Sequence, residues 1–247
     1  MMRFFEHIGK YLFLLRKIFS KPERFKIFMK QVLQEIELLG LNSIGLVVII
    51  SLFSGAVITL QLGYNMDNPF LPSYLIGMGN RETMLLEFSS TILCLILTGK
   101  IGSQVASEIG SMRVTEQIDS LEMMGINSAN YLILPKVVAV LLILPLLSIV
   151  SAFLGIAGGL VAGPLAGVVK IADYIEGITF VFKPFYVFFA VVKTFVFSFI
   201  MVTISSYFGY NVEGGALEVG KASTNAVVTS SIFILIFDLI LTQLLLQ

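Results

Sequence analysis

The fold class predicted by this sequence is an all-α polytopic membrane protein, built from N-terminal amphipathic interfacial helices, five transmembrane helices and one short helix outside the bilayer. Three observations carry that expectation. Hydrophobic residues make up 57% of the 247 positions and charged residues 13%, with a mean hydropathy of +0.94, far from a soluble domain of this length. Uncharged runs are long, with 29 residues between Glu37 and Asp67 and 33 between Lys136 and Lys170, where a hydrocarbon core about 30 Å thick needs about 20 apolar helical residues. Basic residues crowd at the start, eight of the sixteen Lys and Arg falling within residues 1–40.

Residues 1–40 form the first region. Phe4, Phe5, Ile8, Leu12, Leu15 and Phe19 fall near one helical face, and Arg3, Lys10, Arg16 and Lys17 supply charge, a pattern that suits the cytoplasmic interface better than a span. Pro22 is expected to start a second helix. His7, without a Cys or second His beside it, reads as an interfacial polar residue and not a ligand.

Residues 41–247 form the five-span region. The first span covers 40–66, and a short external connection containing Asn68, Pro69 and Pro72 leads to a second span over about 84–105, with Glu87 near its outer end and Lys100 near its inner end. The third begins near Lys136, with Pro135 and Pro145 as candidate kinks and a Gly/Pro turn at 158–167. An external amphipathic segment around 171–186 precedes the fourth span (187–208) and the fifth (227–245). Small residues at Gly99, Gly102, Ser103, Ala106 and Gly110, and again at Gly155, Gly158, Gly159 and Gly163, permit close helix approach.

Between the second and third spans lies a charged island, Gly99–Ala139. Val114, Ile118, Leu121 and Met124 recur on one helical face, flanked by Arg113, Glu116, Asp119, Glu122 and Met123. A helix of about 13 residues rises roughly 20 Å and cannot cross the bilayer, so it should lie at the membrane surface over about 111–125. With the N-terminus in the cytoplasm, twelve Lys and Arg residues lie on the inner side and four, Arg81, Lys170, Lys183 and Lys193, towards the outer side. The island then faces the cytoplasm, and an odd number of spans puts the C-terminus in the periplasm.

Several functions are excluded. Net charge is zero and no basic-aromatic surface suggests nucleic acid. The single cysteine, Cys94, cannot form an intrachain disulfide, and no cleavable signal peptide is expected ahead of the first apolar run. There is no nucleophile elbow, metal-ligand set or Cys/His cluster, so no catalytic residue, metal or cofactor is assigned; a Glu87–Asp238 carboxylate pair has no supporting spacing. The run Gly215–Lys221 imitates a phosphate-binding loop, but Ala222 stands where the Mg-binding hydroxyl belongs and a membrane helix follows. Any ATP-driven role therefore needs a separate subunit.

Two ordered motifs resemble the MlaE-type permeases, the membrane subunits of bacterial ABC systems that move lipid between inner and outer membranes. The first comprises Glu108, Gly110, Met112, Arg113, Thr115, Glu116, Gln117, Leu121, Glu122, Met123, Met124, Pro135 and Lys136; the second comprises Gly209, Tyr210, Asn211, Gly214, Gly215, Val219, Gly220, Ala222, Thr224, Val227, Val228 and Asp238. The resemblance covers roughly residues 40–247. It implies a phospholipid or related substrate, a homodimer in the bacterial inner membrane, an ABC ATPase dimer, an MCE-domain lipid-binding protein outside and, in some systems, a cytoplasmic STAS-domain protein. The surface helix then becomes a coupling helix, with Glu108, Arg113, Glu116, Gln117, Asp119 and Glu122 at the ATPase, while Gln61, Tyr64 and Glu87 line the lipid site. The chain departs from the family pattern at Leu86, where an Arg commonly precedes the acid, and at Asn127 and Ser128, where Asp and Pro are common, which alters the exit from the coupling helix. Two other classes are an ion-coupled carrier titrating at Glu87, for which the sequence shows no inverted repeat or paired broken helices, and a membrane-embedded lipid-modifying enzyme, for which it shows no nucleophile or metal set.

Overall fold

The computed structural model describes residues 2–20, 25–66 and 71–246, so the expectations for Pro22 and for Asp67, Asn68 and Pro69 lie outside the described residues, as do those for the side chains of Arg3, Phe4, Phe5 and His7. The described residues contain helices and turns and no strand. Five helical runs are long and apolar enough to cross a membrane: Phe25–Asn65, Tyr74–Val114, Ser128–Leu165, Phe185–Tyr210 and Ala216–Leu245. The chain is a polytopic, all-α membrane protein.

Helix α1 (Met2–Ile18) ends before α2 (Phe25–Glu35), which passes through a π-helical turn (Ile36–Gly40) and a 3-10 turn (Leu41–Ser43) into α3 (Ile44–Asn65). The second run is α4 (Tyr74–Thr83), a π-helical stretch (Met84–Ile92), α5 (Leu93–Leu97), a second π-helical turn (Thr98–Gly102) and α6 (Ser103–Val114). Helix α7 (Gln117–Met123) precedes α8 (Ser128–Leu165), α9 (Ile171–Thr179), α10 (Phe185–Tyr210) and α11 (Ala216–Leu246).

Helices α8 and α11 begin earlier than the sequence expectation, at Ser128 and Ala216, and three further differences concern packing. Helix begins at Tyr74, ahead of residue 84, because α4 packs on α9: Gly77 lies against the Tyr174 backbone, Gly177 against that of Tyr74, and the Tyr74 and Phe180 rings meet at 4.8 Å. This cover lets Asn80, Arg81 and Glu82 stay helical where hydropathy alone stops. Likewise α8 runs unbroken through Pro135, Pro145 and the glycines at 158, 159 and 163, the turn starting only at Ala166–Gly167. Finally, the surface helix is not one rod, since it breaks at Thr115–Glu116.

The described residues group into two compact units. In the unit of residues 43–94 and 144–195, α3 and the second half of α8 cross at small residues. A Cβ on Gly55 would collide with the Gly155 carbonyl and one on Gly158 with that of Leu52, and Ser51 and Ser151 share a 2.7 Å hydrogen bond. The glycine run of α8 is thus a packing face. Beside it, Asn80 Nδ2 donates to the Tyr174 hydroxyl at 2.5 Å, which donates to the Ile156 carbonyl at 3.0 Å, and Gly159 leaves the room for both.

In the unit of residues 1–42, 95–143 and 196–247, α1 docks on α10 through Tyr11, whose hydroxyl meets Thr203 at 2.8 Å and whose ring meets Tyr207 edge-on at 5.8 Å. Among the described side chains of α1, Leu14 and Ile18 are buried, whereas Ile8, Leu12 and the following Phe19, part of the face expected from sequence to enter the interface, remain exposed. An amphipathic helix thereby meets protein on one side and offers apolar side chains on another.

Candidate functional site

The charged island folds as an elbow. Thr115 ends α6, its hydroxyl donating to the Ser111 carbonyl at 2.8 Å, and Glu116 adopts a left-handed conformation (φ 58°) that turns the chain into α7. Few non-glycine residues accept this conformation. Across the bend Arg113 and Asp119 form an ion pair at 2.5 Å. Gly125 (φ 77°) closes α7 with paired bonds, its own N–H donating to the Glu122 carbonyl and that of Ile126 to the Leu121 carbonyl, a Schellman ending in which glycine relieves Cβ strain. The expected common face is therefore divided: Ile118 is buried, Val114 and Leu121 are half-buried, and Met124 is exposed, as is Met123 on the flank.

A polar clamp holds the far side. Glu122 Oε1 accepts from the Ser128 and Tyr210 hydroxyls, each at 2.9 Å, and those hydroxyls meet at 2.8 Å. These two hydrogen bonds, Ser128 first, hold the Glu122 carboxyl below its ordinary value. Asn127 Nδ2 donates to the Lys17 carbonyl and Ser20 hydroxyl, while Asn130 Nδ2 donates to the carbonyls of Ile18 and Ser20, satisfying the end of α1. Asn127 and Ser128 do more than alter the exit from α7, because their side chains tie it to α1 and α10.

Of the six residues expected at a coupling surface, Glu108, Arg113, Asp119 and Glu122 have partners within the chain. Glu108 binds Lys136 at 2.9 Å, and Lys136 also binds Glu35 at 2.6 Å, a triad around a buried lysine not foreseen from sequence. Glu116 and Gln117 are exposed at the tip of the bend. The two motifs separated by about a hundred residues pack together: Gly110 faces Val212 and Val219, a Cβ there meeting their methyls at 3.3 and 3.1 Å, and Gly209 lies against the backbone of Ala106. The Ser223 hydroxyl donates to the Ser103 carbonyl at 3.2 Å.

The expected lipid-site residues stand on two elements. Gln61 and Tyr64 lie on the exposed face of α3, Tyr64 at 72% exposure. Glu87 lies in the π-helical stretch, where both carboxylate oxygens stand 3.3 Å from Lys193 Nζ of α10. Lys193 is wholly buried and also donates to the Leu86 carbonyl at 3.1 Å, with its Nζ 4.9 Å from the Phe189 ring centre. The Glu87 carboxylate keeps 44% exposure and accepts from Thr91 at 3.1 Å. The cation missing at Leu86 is supplied from another helix, and Lys193, placed by sequence on the outer side, serves inside the fold.

A multi-pass helical chain with two interlocked motifs around a charged elbow is the membrane subunit of a transporter in class. The family described as Permease MlaE matches residues 32–244. A probable ABC transporter permease protein of Rickettsia bellii is 34% identical over 247 residues, covering 98% of this chain and 93% of that protein. One from Synechocystis is 30% identical over 243 residues, with coverage of 98% and 92%. Protein TRIGALACTOSYLDIACYLGLYCEROL 1, chloroplastic, of Arabidopsis thaliana is 31% identical over 229 residues, covering 90% of this chain and 63% of that protein. The chain belongs to the MlaE permease family, as its two motifs imply, and is a permease subunit of the ABC transporter type.

Proposed function

We propose that this permease moves a phospholipid or related lipid towards or from the outer membrane, two copies forming the transmembrane part of an ABC system in a bacterial inner membrane. Support for a lipid comes from the family and from the relative whose name is that of a galactosylated diacylglycerol. The N-terminus and the elbow face the cytoplasm and the C-terminus the periplasm. Residues 1–40 serve as an interfacial region and 41–247 as the permease region. A separate ATPase dimer binds the elbow; an MCE-domain protein receives or delivers lipid outside, and a STAS-domain protein joins on the cytoplasmic side in systems that contain one. Exposed apolar residues on α3 (Ile49, Phe53, Val57) and α11 (Leu235, Ile236, Leu239) suit a second copy or lipid.

The observation that carries this reading is the bend at Glu116. Arg113, Asp119 and Glu122 brace the elbow internally, leaving Glu116 and Gln117 presented outward on a stiff support. A lever of this kind transmits ATPase motion without deforming. Glu87, half exposed beside Lys193, offers a carboxylate to a lipid headgroup, with Gln61 and Tyr64 contributing from α3. The test is Glu116→Lys with Gln117→Lys, which leaves the internal ion pair and clamp intact. Loss of the ATPase from the purified complex, with normal membrane insertion, is expected; full co-purification and ATP hydrolysis would overturn the coupling assignment.

A further inference from the structure

We infer that the unit of residues 43–94 and 144–195 carries its own acyl-chain site, separate from the Glu87 region: a groove in which one chain of a bilayer lipid lies, with its ester or carboxylate oxygen accepting from Arg81. The groove has a volume of about 200 Å³ and is walled by Leu85, Ile149, Ala152, Phe153, Ile156 and Ala190. Its α8 wall runs from Ser148 to Ile156, about 12 Å at 1.5 Å per residue. This accommodates a stretch of one acyl chain and not a whole diacyl lipid. Phe153 is 72% exposed at the rim and Phe182 49%, so the groove opens to the outside of helices that stand in hydrocarbon.

Two residues that line the groove, Arg81 and Ser89, each carry a buried donor without an acceptor. Arg81 is 1% exposed; Nη1 donates to the Ile178 and Phe180 carbonyls at 2.8 Å and Nη2 to Glu82 at 3.3 Å, yet Nε has no partner. The Ser89 hydroxyl is likewise buried and unpartnered. Leaving such donors dry is unfavourable. An acyl chain ending in acceptor oxygens satisfies both demands: methylenes meet the walls, and an oxygen meets Arg81 Nε–H at the end where α4 and α9 lie.

This inference rests on membrane embedding and not on transport, and its test reads occupancy without ATP. The full chain is placed in vesicles of phosphatidylethanolamine and phosphatidylglycerol containing a trace of phosphatidylglycerol with a diazirine on one acyl chain, then illuminated and mapped by peptide mass spectrometry. Label is expected within 148–156 and 187–190. Ala152→Leu, which fills the groove without touching Arg81, should cut that label at least fivefold while label on α11 is unchanged; Ala190→Leu repeats the test from the α10 wall. Added palmitate should compete in the wild type whereas hexadecane should not, and a diazirine-bearing palmitate used as the trace in place of the phosphatidylglycerol probe distinguishes a free from an esterified chain by which probe labels the groove more. Undiminished label in both filled variants, or equal competition by hexadecane, would overturn the site or its Arg81 anchor.

Discussion

Two buried lysines solve the same problem differently. Lys136, 2% exposed, is held by Glu35 and Glu108 at 2.6 and 2.9 Å, whereas Lys193, wholly buried, faces Glu87 at 3.3 Å from each oxygen and a backbone carbonyl at 3.1 Å. A buried ammonium survives only with close acceptors. The first has two carboxylates in short contact, a clasp between α2, α6 and α8. The second shares a longer contact with a carboxylate that is still 44% exposed and can turn outward. The tight pair suits structure, and the loose pair suits exchange with a passing group.

The largest effect should come from breaking the clasp. Lys136→Met strands two carboxylates near each other, with an expected loss of about 3–5 kcal/mol, read as a fall in thermal stability of the purified protein. Adding Glu35→Gln and Glu108→Gln should restore most of it, because the uncompensated charge is gone. No recovery would mean that Lys136 acts by packing.

Glu87→Gln should cost less, about 1–3 kcal/mol, since Lys193 keeps the Leu86 carbonyl and can accept an amide oxygen as neighbour. Its signature is functional: lipid recovered with the protein and transport should fall more than stability does. Unchanged lipid and transport would reduce Glu87 to a counter-ion for Lys193.

Thr91→Val removes the 3.1 Å hydrogen bond that restrains Glu87 from within its own helix and should cost about 0.5–1.5 kcal/mol. It sharpens the contrast if lipid retention changes while the fold holds.

The smallest effect belongs to Glu122, a carboxylate held at the surface by hydroxyls. Its folded value lies below the ordinary 4.5, so its contribution is present above that pH and disappears as pH falls through the depressed value. Tyr210→Phe removes one donor. The melting difference between wild type and this variant should be open at neutral pH and close in acid; a gap that persists in acid would assign Tyr210 to packing alone.

Much of the fold was legible because membrane helices announce themselves by length and hydropathy, and the polar backbone leaves few alternatives in hydrocarbon. The errors share a cause. Tyr74–Thr83 contains Asn80, Arg81 and Glu82, and hydropathy cannot see that α9 covers them. Glu116 breaks the surface helix although its neighbours keep helical periodicity, since one left-handed residue leaves no periodic trace. Of the candidate site, the charged positions are legible in the sequence, but their partners within the chain are not.

The sequence by itself determined the all-helical membrane class, the five long runs, the charged island between the second and third, and the family motifs. These depend on composition and on residues near one another in the chain. Only tertiary structure decided which charges face inward: that Lys136 gathers Glu35 and Glu108, that Lys193 answers Glu87 in place of an arginine, that Ser128 and Tyr210 hold Glu122, and that Arg81 keeps an unspent donor beside an apolar groove. Each joins helices far apart in sequence, and in a low-dielectric interior a charge's role is set by what lies within hydrogen-bonding reach, which no linear pattern records.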